Sequence, residues 1–509
     1  MATIIGTNPR TGEHVGVGVA QTDGAALDGV LAAAHRAATD FAASPPAVRA
    51  TLLRSLAEHL DAESDTLVAL AELETGLPSA RLRGEVARTS FQLRLFATVV
   101  EEGSYLEVTI DTADPDTPRP DLRRTLAPLG PVLVFAASNF PFAFSVLGGD
   151  TASALAAGCP VVVKAHESHP ALSEAVADLA HRVIAAQRLA PGVLSVIHGV
   201  EPGRAALTDP RVTACGFTGS TAGGRALFDL ANRRPTPIAF YGELGSVNPV
   251  VVTPGAVAAR GAEIAAGYVA SFTLGTGQFC TKPGLLFLPR GHGLDAALAR
   301  AVGDVGPAPM LAARIYNAFT DGTAELAAHK DIRTITSGVD GPGAGSWAAP
   351  ALFATTAKAV LDDPARLTAE CFGPASIVVE YDGVDELLAS LATVEGSLTA
   401  TIHGEPGEDF PLPRLLAAAA ARAGRIIWNG WPTGVSVAWA MQHGGPWPAS
   451  TNPLHTSVGA TSIRRWLRPL CFQSVPDALL PPPLRAANPW RLPRRVDGLS
   501  HGSEPESPD

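Results

Sequence analysis

Several features are scarce or absent in this chain of 509 residues. Its five cysteines are widely spaced and form no Cys-x-x-Cys pair, which argues against a disulfide framework and against a metal site. No run of about 18 apolar residues occurs, so we expect no membrane-spanning helix. The N-terminal residues MATIIGTNPRTGEH lack the basic and apolar regions of a signal peptide. These absences predict a protein of the reducing cytoplasm.

Positive charge is in the minority as well. Lysine and arginine number 38 against 49 aspartate and glutamate residues, which gives a formal net charge of −11. No basic stripe occurs, so a nucleic-acid partner is not expected, and the negative charge is explained by solubility. Apolar residues make up 46% of the chain, which at this length indicates a well-packed globular protein of two or three domains.

The N-terminal part of the chain has a helical pattern. Alanine and leucine recur at helical spacing in two stretches within residues 23–73, and again in SARLRGEVARTSFQLRLFATVV at residues 79–100. Residues 104–127 include the segment DTADPDTPRPD, which is typical of an extended arm and a turn. The sequence therefore predicts two helices, a third long helix and then an arm.

From Pro131 onward, short apolar strands alternate with helical segments. The predicted strands are PVLVFAA, PVVVKA, VLSVIHG and VTACGF, and after Glu243 VNPVVV, GLLFLP, ASIVVEY, SLTATIHG and RIIWNG. Such strands without polar alternation indicate parallel sheets covered on both faces, which bind ligands at the carboxyl ends of their strands. We therefore predict an α/β fold with two such units, followed at residues 476–509 by a proline-rich, poorly ordered tail.

The stretch TLGTGQFCTKPG places Cys280 among small and flexible residues. Glycines allow a backbone to approach a ligand closely, and a cysteine in such a loop is open to attack by a substrate. By contrast, Cys215 in the strand VTACGF is typical of a small buried hydrophobic residue. Cys280 is therefore a candidate nucleophile.

Two stretches at predicted strand ends are candidates for cofactor binding. FTGSTAGG follows a strand and opens a helix, so its N–H groups could bind a phosphate, although a plain strand–helix turn has the same pattern. In KAHE, Lys164 could contact ribose or phosphate, and Glu167 could hydrogen-bond the two ribose hydroxyls and repel a 2′-phosphate. A solvated pair at the end of a strand is the alternative for these two residues.

Four further polar residues lie in loops between apolar segments. Glu243 in ELGS is a candidate general base whose pKa we expect to be raised, or else a turn cap. Asn139 in SNFPF could stabilise an oxyanion, or simply form a turn before Pro141. Glu370 in AECFGP is a candidate ligand contact or a surface acid. His443 in QHGGPWP is a candidate binding residue or a structural histidine.

The order and content of these motifs are more specific than any one of them. SNFPF, KAHE, FTGST, ELGS, GQFC and ECFGP together resemble the aldehyde dehydrogenase superfamily over nearly the whole chain, roughly residues 5–475. The longer stretches SNFPFAFSVLGGDTASALAAGCPVVVKAH, NGWPTGV and HGGPWPAST resemble one branch of it. That branch includes NADP-dependent fatty-aldehyde enzymes and, more similar to this chain, the α-ketoglutarate semialdehyde (2,5-dioxovalerate) dehydrogenases.

The resemblance implies a set of roles. Cys280 would be the nucleophile that forms a thiohemiacetal and then a thioester, Asn139 would help to hold the oxyanion, and Glu243 would activate the hydrolytic water. NAD or NADP would accept the hydride, with the choice between them open. The residues implied to contact the cofactor are Lys164, Glu167, Phe217, Gly219, Ser220, Glu370, Phe372 and His443.

The resemblance also implies a domain organisation. It predicts an aldehyde dehydrogenase-like α/β fold with two doubly wound parallel-sheet domains and a small oligomerisation arm. Residues 1–106 and 128–243 would form the cofactor-binding domain and residues 244–460 the catalytic domain. Residues 107–127 and 461–488 would be oligomerisation elements of a homodimer or homotetramer, and residues 489–509 a tail.

Three positions depart from the family pattern or leave the cofactor open. Ser246 replaces the second glycine of the usual ELGG, which the branch tolerates. Lys282 stands where an asparagine usually follows the nucleophile loop, and could change the charge of the pocket. Glu167 favours NAD, whereas Arg204 could reach the 2′-phosphate of NADP.

The substrate implied is a small aldehyde, and most specifically 2,5-dioxopentanoate, which would be oxidised to 2-oxoglutarate. Arg88 and Arg94 are candidates for its carboxylate by position, and surface ion pairs are the alternative for both. Other fatty or aromatic aldehydes remain an alternative. Transfer of the acyl group to coenzyme A is disfavoured because Glu243 is present, and a catalytically silent binding protein is disfavoured because Cys280 and Glu243 are both present.

Overall fold

The computed structural model describes residues 2–339 and 341–502. The chain begins with a small antiparallel hairpin and continues with four packed helices: β1 (Thr3–Thr7), β2 (His14–Ala20), α1 (Gly24–Ala42), α2 (Pro46–Ala62), α3 (Ser64–Thr75) and α4 (Ser79–Glu102). Residues 23–73 were expected to form two helices but form three, because the chain breaks at Ala43–Pro45 and again at Glu63. Helix α4 confirms the long helix expected at residues 79–100.

A five-stranded parallel sheet follows. Its elements are β5 (Val132–Phe135), α5 (Gly149–Ala157), β6 (Val161–Lys164), α6 (Pro170–Ala186), β7 (Leu194–Ile197), α7 (Val200–Thr208), β8 (Ala214–Thr218), α8 (Thr221–Asn232) and β9 (Ala239–Glu243). The strand order is β7-β6-β5-β8-β9, so the direction of winding reverses at β5 and β8. A crevice at such a reversal, outside the carboxyl ends of the strands, is where doubly wound sheets bind ligands.

A seven-stranded sheet forms the second half of the α/β structure, in the order β13-β15-β16-β11-β10-β17-β18. Adjacent strands in this sheet are parallel, except that β13 and β15 pair with each other in antiparallel orientation. Its elements, with a two-stranded ribbon of β12 and β14, are β10 (Val250–Val252), α9 (Pro254–Thr273), β11 (Leu285–Pro289), α10 (Asp295–Gly303), β12 (Ala308–Pro309), α11 (Ala313–Ala328), β13 (Arg333–Ser337), β14 (Trp347–Ala348), β15 (Ala351–Thr356), α12 (Ala357–Asp362), α13 (Pro364–Leu367), β16 (Ala375–Tyr381), α14 (Val384–Thr393), β17 (Ser397–His403), α15 (Leu412–Ala420) and β18 (Ala423–Trp428).

A third sheet joins distant parts of the chain. It consists of β3 (Thr109–Asp111), β4 (Leu122–Pro128), β19 (Leu467–Gln473), β20 (Arg494–Val496) and β21 (Leu499–His501), in the order β19-β4-β3-β20-β21. The expectation of a poorly ordered tail is wrong for β20 and β21, because β20 pairs with β3 and Leu492 packs into the core. Residues 503–509 of that expected tail lie outside the described residues.

The cores explain why the predicted strands are so apolar. Both faces of the five-stranded sheet are covered, by α2, α5 and α6 on one side and by α1, α7 and α8 on the other. Separate clusters cover the two faces of the seven-stranded sheet. Between residues 2 and 502, apart from position 340, no helix is long and apolar enough to cross a membrane.

Candidate active site

A cavity of about 230 Å³ lies over the sulfur of Cys280. Helix α4, the loop after β5, the cysteine loop after α9 and the segments after β18 all contribute to its walls. The charged, aromatic and reactive side chains that line it are Arg81, Glu85, Arg88, Phe140, Phe144, Phe279, Cys280 and His443. The cavity thus brings the predicted nucleophile together with apolar rings and two arginines.

The backbone after α9 is shaped to present Cys280. Gly275, Thr276 and Gly277 have φ values of 58°, 57° and 64°, which is left-handed backbone. A Cβ at Gly277 would lie 2.1 Å from the carbonyl oxygen of Gly373, so no larger residue fits there. The loop therefore folds back against the segment that carries Glu370 and Phe372.

Asn248 fixes the far side of this loop, although the sequence did not single it out. Its amide donates to the carbonyl oxygens of Cys280 at 2.8 Å and Lys282 at 3.0 Å. Its own oxygen accepts from the hydroxyl of Ser246 at 2.7 Å and from the N–H of Thr399 at 3.1 Å. Ser246, the departure from ELGG, therefore supports the residue that holds the cysteine loop.

The predicted nucleophile and base meet at one histidine. The Nε2 atom of His443 lies 3.5 Å from the sulfur of Cys280 and 3.0 Å from Oε1 of Glu243. The hydroxyl of Ser457 donates to Oε2 of the same carboxylate. Glu243 and His443 are buried, whereas Cys280 is half-buried and faces the cavity. His443, expected to contact the cofactor, thus also touches the two residues expected to react.

Burial and neighbouring groups shift the pKa values of Cys280 and Glu243 in opposite directions. Burial, followed by the carboxylate of Glu243, raises the pKa of the Cys280 thiol well above its ordinary value. Burial also opposes ionisation of Glu243, but His443, Ser457 and Cys280 outweigh it and hold the pKa of that carboxyl below its ordinary value. The expectation of a raised pKa for Glu243 is therefore wrong, because the sequence did not show these neighbours. At neutral pH the geometry favours a carboxylate beside a protonated thiol.

Asn139 lies next to the cysteine loop and is buried. Its side-chain amide donates to the backbone carbonyl oxygen of Gln278 at 3.0 Å, and its backbone carbonyl oxygen accepts from the Nη2 of Arg81 at 2.7 Å. Glu85 accepts from the backbone N–H groups of Phe142 and Ala143, at 2.8 and 3.0 Å. Helix α4 therefore holds the SNFPF loop from two points, and one amide hydrogen of Asn139 remains for another acceptor.

The two arginines expected to contact a substrate carboxylate, Arg88 and Arg94, lie in different environments. Arg88 lines the cavity, stacks on Phe144 at 5.3 Å and leaves a buried Nη1 without a partner among the described residues. Arg94 instead forms a surface ion pair with Asp61 at 2.6 Å. Arg81, which the sequence analysis missed, also lines the cavity and has an unpartnered buried Nη1. Arg81 and Arg88 lie on the same face of α4, and this helical spacing could have predicted Arg81 from the sequence.

The candidate cofactor residues lie at the carboxyl edge of the five-stranded sheet. Lys164 ends β6 and donates to the carboxylate of Glu167, so the two residues form an ion pair. Burial lowers the pKa of Lys164, and Glu167 opposes this effect. Arg204 is exposed on α7 and pairs with Glu201 at 3.6 Å.

The turn between β8 and α8 fits an anion. Ser220 is the N-cap of α8 and accepts from the N–H of Gly223 at 3.3 Å. The first N–H groups of the helix have no intrahelical partner, so they can bind a phosphate. Gly219 donates to the carbonyl oxygen of Glu243 at 3.1 Å, and the ring of Phe217 leaves no space for a side chain at Gly219. Together with Lys164, these residues fit a dinucleotide laid across the sheet edge.

The segment of Glu370 and Phe372 lies opposite that edge. Glu370 is exposed, and its carboxylate would be 2.3 Å from a Cβ at Gly245, so the two segments approach closely. Lys282 is buried and donates to the carbonyl oxygens of Cys371 at 2.7 Å and Ala375 at 2.9 Å. Its ammonium group therefore holds this segment and does not line the cavity over Cys280.

Comparison with known proteins identifies the family. Residues 2–452 match the model of the aldehyde dehydrogenase family. The chain is 48% identical over 469 residues to alpha-ketoglutaric semialdehyde dehydrogenase 2 of Azospirillum brasilense, covering 90% of this chain and 88% of the relative. It is 41% identical over 479 residues to alpha-ketoglutaric semialdehyde dehydrogenase of Acinetobacter baylyi, covering 93% and 91%.

Solved structures agree on the fold. A mutant of aldehyde dehydrogenase C from Pseudomonas syringae, complexed with NAD+ and octanal, superposes with a TM-score of 0.80 at 22% identity, covering 93% of both chains. An NADP-dependent enzyme of E. coli gives a TM-score of 0.79 at 23% identity, covering 93% of this chain and 95% of the other. The chain belongs to the aldehyde dehydrogenase family, whose members oxidise an aldehyde to a carboxylic acid with NAD(P)+.

Proposed function

We propose that the aldehyde this enzyme oxidises is 2,5-dioxopentanoate, α-ketoglutarate semialdehyde, and that the product is 2-oxoglutarate. The names of the two relatives that are 48% and 41% identical support this substrate. The observation that carries the proposal is that Arg81 and Arg88 both line the cavity over Cys280, each with a buried guanidinium nitrogen that has no hydrogen-bond partner among the described residues. A carboxylate at the far end of a short aldehyde would satisfy them.

Arg88 is the better placed of the two for this role. Its charge acts on Cys280 and Glu243, which places it near the reacting atoms. Burial lowers the pKa of Arg88, and the neighbouring carboxyl groups, Glu85 foremost and then Glu243, oppose this effect. Arg81 already donates to the backbone carbonyl of Asn139, and its guanidinium carbon lies 4.8 Å from the ring centre of Phe279. It therefore adds positive charge to the cavity and forms part of its wall.

The substrate test compares two arginines of the same helix. Arg88→Met should lower kcat/KM for 2,5-dioxopentanoate about 100-fold, because a buried charged hydrogen bond is lost, and should change kcat/KM for hexanal little. Arg94→Met is the matched control, because its partner is Asp61 on the surface, and it should leave both rates unchanged. Equal losses on both aldehydes, or none on either, would refute the assignment.

We propose the following roles for the residues around the reacting atoms. The thiolate of Cys280 adds to the aldehyde carbon, and the proton of the thiol passes to His443, whose Nε2 is 3.5 Å away. NAD(P)+, when bound, supplies the hydride acceptor. The free amide hydrogen of Asn139 stabilises the oxyanion, and the carboxylate of Glu243 takes a proton from the water that hydrolyses the thioester. Aldehyde, NAD(P)+ and water thus yield acid, NAD(P)H and a proton.

The nucleophile has a direct test. Cys280→Ala should abolish aldehyde oxidation, while the affinity for NAD(P)+ measured by fluorescence titration should stay within about twofold of the wild type. The matched control is Cys471→Ala, because Cys471 is exposed on β19, away from the cavity. Retained turnover in the Cys280 variant would remove this residue from the mechanism.

We propose that the cofactor lies across the carboxyl edge of the five-stranded sheet. Its contacts are Lys164, Glu167, Phe217, Gly219, Ser220, Glu370, Phe372 and His443. The position of the first five at the reversal of strand order, and of Glu370 opposite them, supports this assignment. Residues 1–106 and 128–243 are then the cofactor-binding domain and residues 244–460 the catalytic domain.

We also propose a cytoplasmic homodimer or homotetramer. Five free cysteines, none in a disulfide, are typical of a reducing compartment. The sheet that contains β3, β4 and β19 supports assembly, because β19 is an exposed edge strand and its pairing with β4 joins residues far apart in the chain. Light scattering after size exclusion should give a mass of at least two chains, and a monomer at micromolar concentration would contradict the proposal.

A further inference from the structure

The three reacting side chains are also a set of metal ligands. The sulfur of Cys280, Nε2 of His443 and a carboxylate oxygen of Glu243 all lie within 4.8 Å of one another. No metal site was expected, because the five cysteines are widely spaced and form no Cys-x-x-Cys pair. The fold brings together three residues that are 37 to 200 positions apart. Thiolate, neutral imidazole and carboxylate are the three protein ligands that Zn²⁺ prefers.

The spacing of the ligand atoms matches a tetrahedral ion. Bond lengths of about 2.3 Å to sulfur and about 2.0–2.1 Å to nitrogen and oxygen place tetrahedral S and N ligands about 3.5 Å apart and N and O ligands about 3.3 Å apart. The corresponding distances are 3.5 Å between Cys280 and His443 and 3.0 Å between His443 and Glu243. The remaining pair, the sulfur of Cys280 and a carboxylate oxygen of Glu243, lies within 4.8 Å.

The surroundings favour a cation as well. The Nε2 atom of His443 and Oε1 of Glu243 face each other 3.0 Å apart, so one cation can bind both atoms when the imidazole proton is on Nδ1. The hydroxyl of Ser457 donates to the other oxygen of Glu243, which holds the carboxylate in place. Such outer hydrogen bonds tune ligands in known metal sites. The cavity over Cys280 leaves the fourth position open to water.

We propose that Cys280, His443 and Glu243 together bind one Zn²⁺ per chain, with water as the fourth ligand. Binding forms a zinc–sulfur bond and releases the thiol proton of Cys280 to solvent. The ion then occupies both the nucleophile and the base, so it is a reversible inhibitor of aldehyde oxidation. A chelator such as EDTA restores the activity.

Zinc binding is measured on the full chain without reference to activity. Isothermal titration of the chelator-treated protein with Zn²⁺ should give one site per chain. Cys280→Ser, His443→Gln and Glu243→Gln should each weaken that site about 100-fold or more, and Ser457→Ala about tenfold. The matched controls are Cys371→Ser and Cys471→Ser, cysteines outside the set, which should leave the affinity unchanged.

Cobalt provides a second readout, which reports the ligands directly. Co²⁺ in place of Zn²⁺ should give a thiolate-to-metal charge-transfer band that Cys280→Ser abolishes and Cys371→Ser retains. Unaltered zinc affinity in the three ligand variants, loss of binding in a control variant, or a cobalt complex without the band would each overturn the proposal. These outcomes are independent of the substrate, so the zinc site can fail while the dehydrogenase assignment stands, and the reverse.

Discussion

The Nε2 atom of His443 lies 3.0 Å from Oε1 of Glu243, although the two residues are 200 positions apart in the sequence. The same nitrogen is 3.5 Å from the sulfur of Cys280. A single imidazole therefore connects the thiol that must lose a proton with the carboxylate that can hold one. Burial and the carboxylate of Glu243 both raise the pKa of the Cys280 thiol, so Glu243 alone would not activate it.

Replacement of His443 tests this connection. His443→Gln should lower the rate of the first hydride transfer about 100-fold or more, because the thiol loses its proton acceptor. Stopped-flow measurement of reduced cofactor in the first turnover separates this step from hydrolysis. His181→Gln is the matched control, since His181 lies on α6, where its ring contacts the carbonyl oxygen of Leu194 at 3.2 Å, and should leave the first turnover unchanged. A normal first turnover in His443→Gln would exclude the proton transfer.

The pH dependence of Cys280 alkylation follows from its raised pKa. In the presence of chelator, the rate of iodoacetamide labelling should rise about tenfold per pH unit from about pH 7 to about pH 9, because only the thiolate reacts. Glu243→Gln removes the second-largest cause of the raised pKa, so labelling at neutral pH should become faster. Mass spectrometry of the peptide that contains Cys280 measures both rates. A rate that begins to level off at or below about pH 9 in the wild type would show an ordinary or lowered pKa.

Much of this architecture is visible in the sequence. Most strands of the two large sheets are buried on both faces, and their short apolar runs predicted β5, β6, β7 and β8 as well as β10, β11, β16, β17 and β18. The motifs at their ends predicted Cys280, Glu243 and Lys164 as site residues, and the structure places Cys280 and Glu243 side by side and Lys164 at the sheet edge. Local sequence patterns are sufficient to predict these strands and motifs, because burial and backbone conformation determine those patterns.

What the sequence missed depends on contacts between distant segments. The pKa of Glu243 is lowered by Ser457 and His443, which lie 214 and 200 positions away. The strand β20 was expected to be part of a tail because residues 476–509 are rich in proline, and it forms through its pairing with β3. Arg88 and Arg94 look equivalent on α4, and only the fold shows that one faces the cavity and the other faces Asp61.

The preference of the enzyme between NAD+ and NADP+ should depend on the carboxylate of Glu167. Its carboxylate pairs with Lys164 at the sheet edge, where it would repel a 2′-phosphate. Glu167→Gln should therefore shift the ratio of kcat/KM for NADP+ to that for NAD+ about tenfold toward NADP+. Steady-state rates with both cofactors at fixed aldehyde measure the ratio. Glu58→Gln, on the exposed face of α2, is the control, and a ratio that is the same in all three proteins would show that Glu167 does not face the ribose.

Lys282 should matter for the cofactor and not for the aldehyde. Its buried ammonium donates to the carbonyls of Cys371 and Ala375, which flank the segment of Phe372. Lys282→Met should lower the free energy of unfolding by about 1–3 kcal/mol, because two buried carbonyls lose their donor. The loosened segment should also raise KM for NAD(P)+ severalfold and leave KM for the aldehyde nearly unchanged.

Urea unfolding and steady-state kinetics measure these two effects of Lys282→Met. Lys358→Met is the matched control, because Lys358 forms an exposed pair with Asp362 at 2.9 Å and should change neither stability nor KM by a measurable amount. If instead KM for the aldehyde rose and KM for NAD(P)+ did not, Lys282 would act on the substrate cavity. That result would contradict the hydrogen bonds that direct its ammonium group away from Cys280.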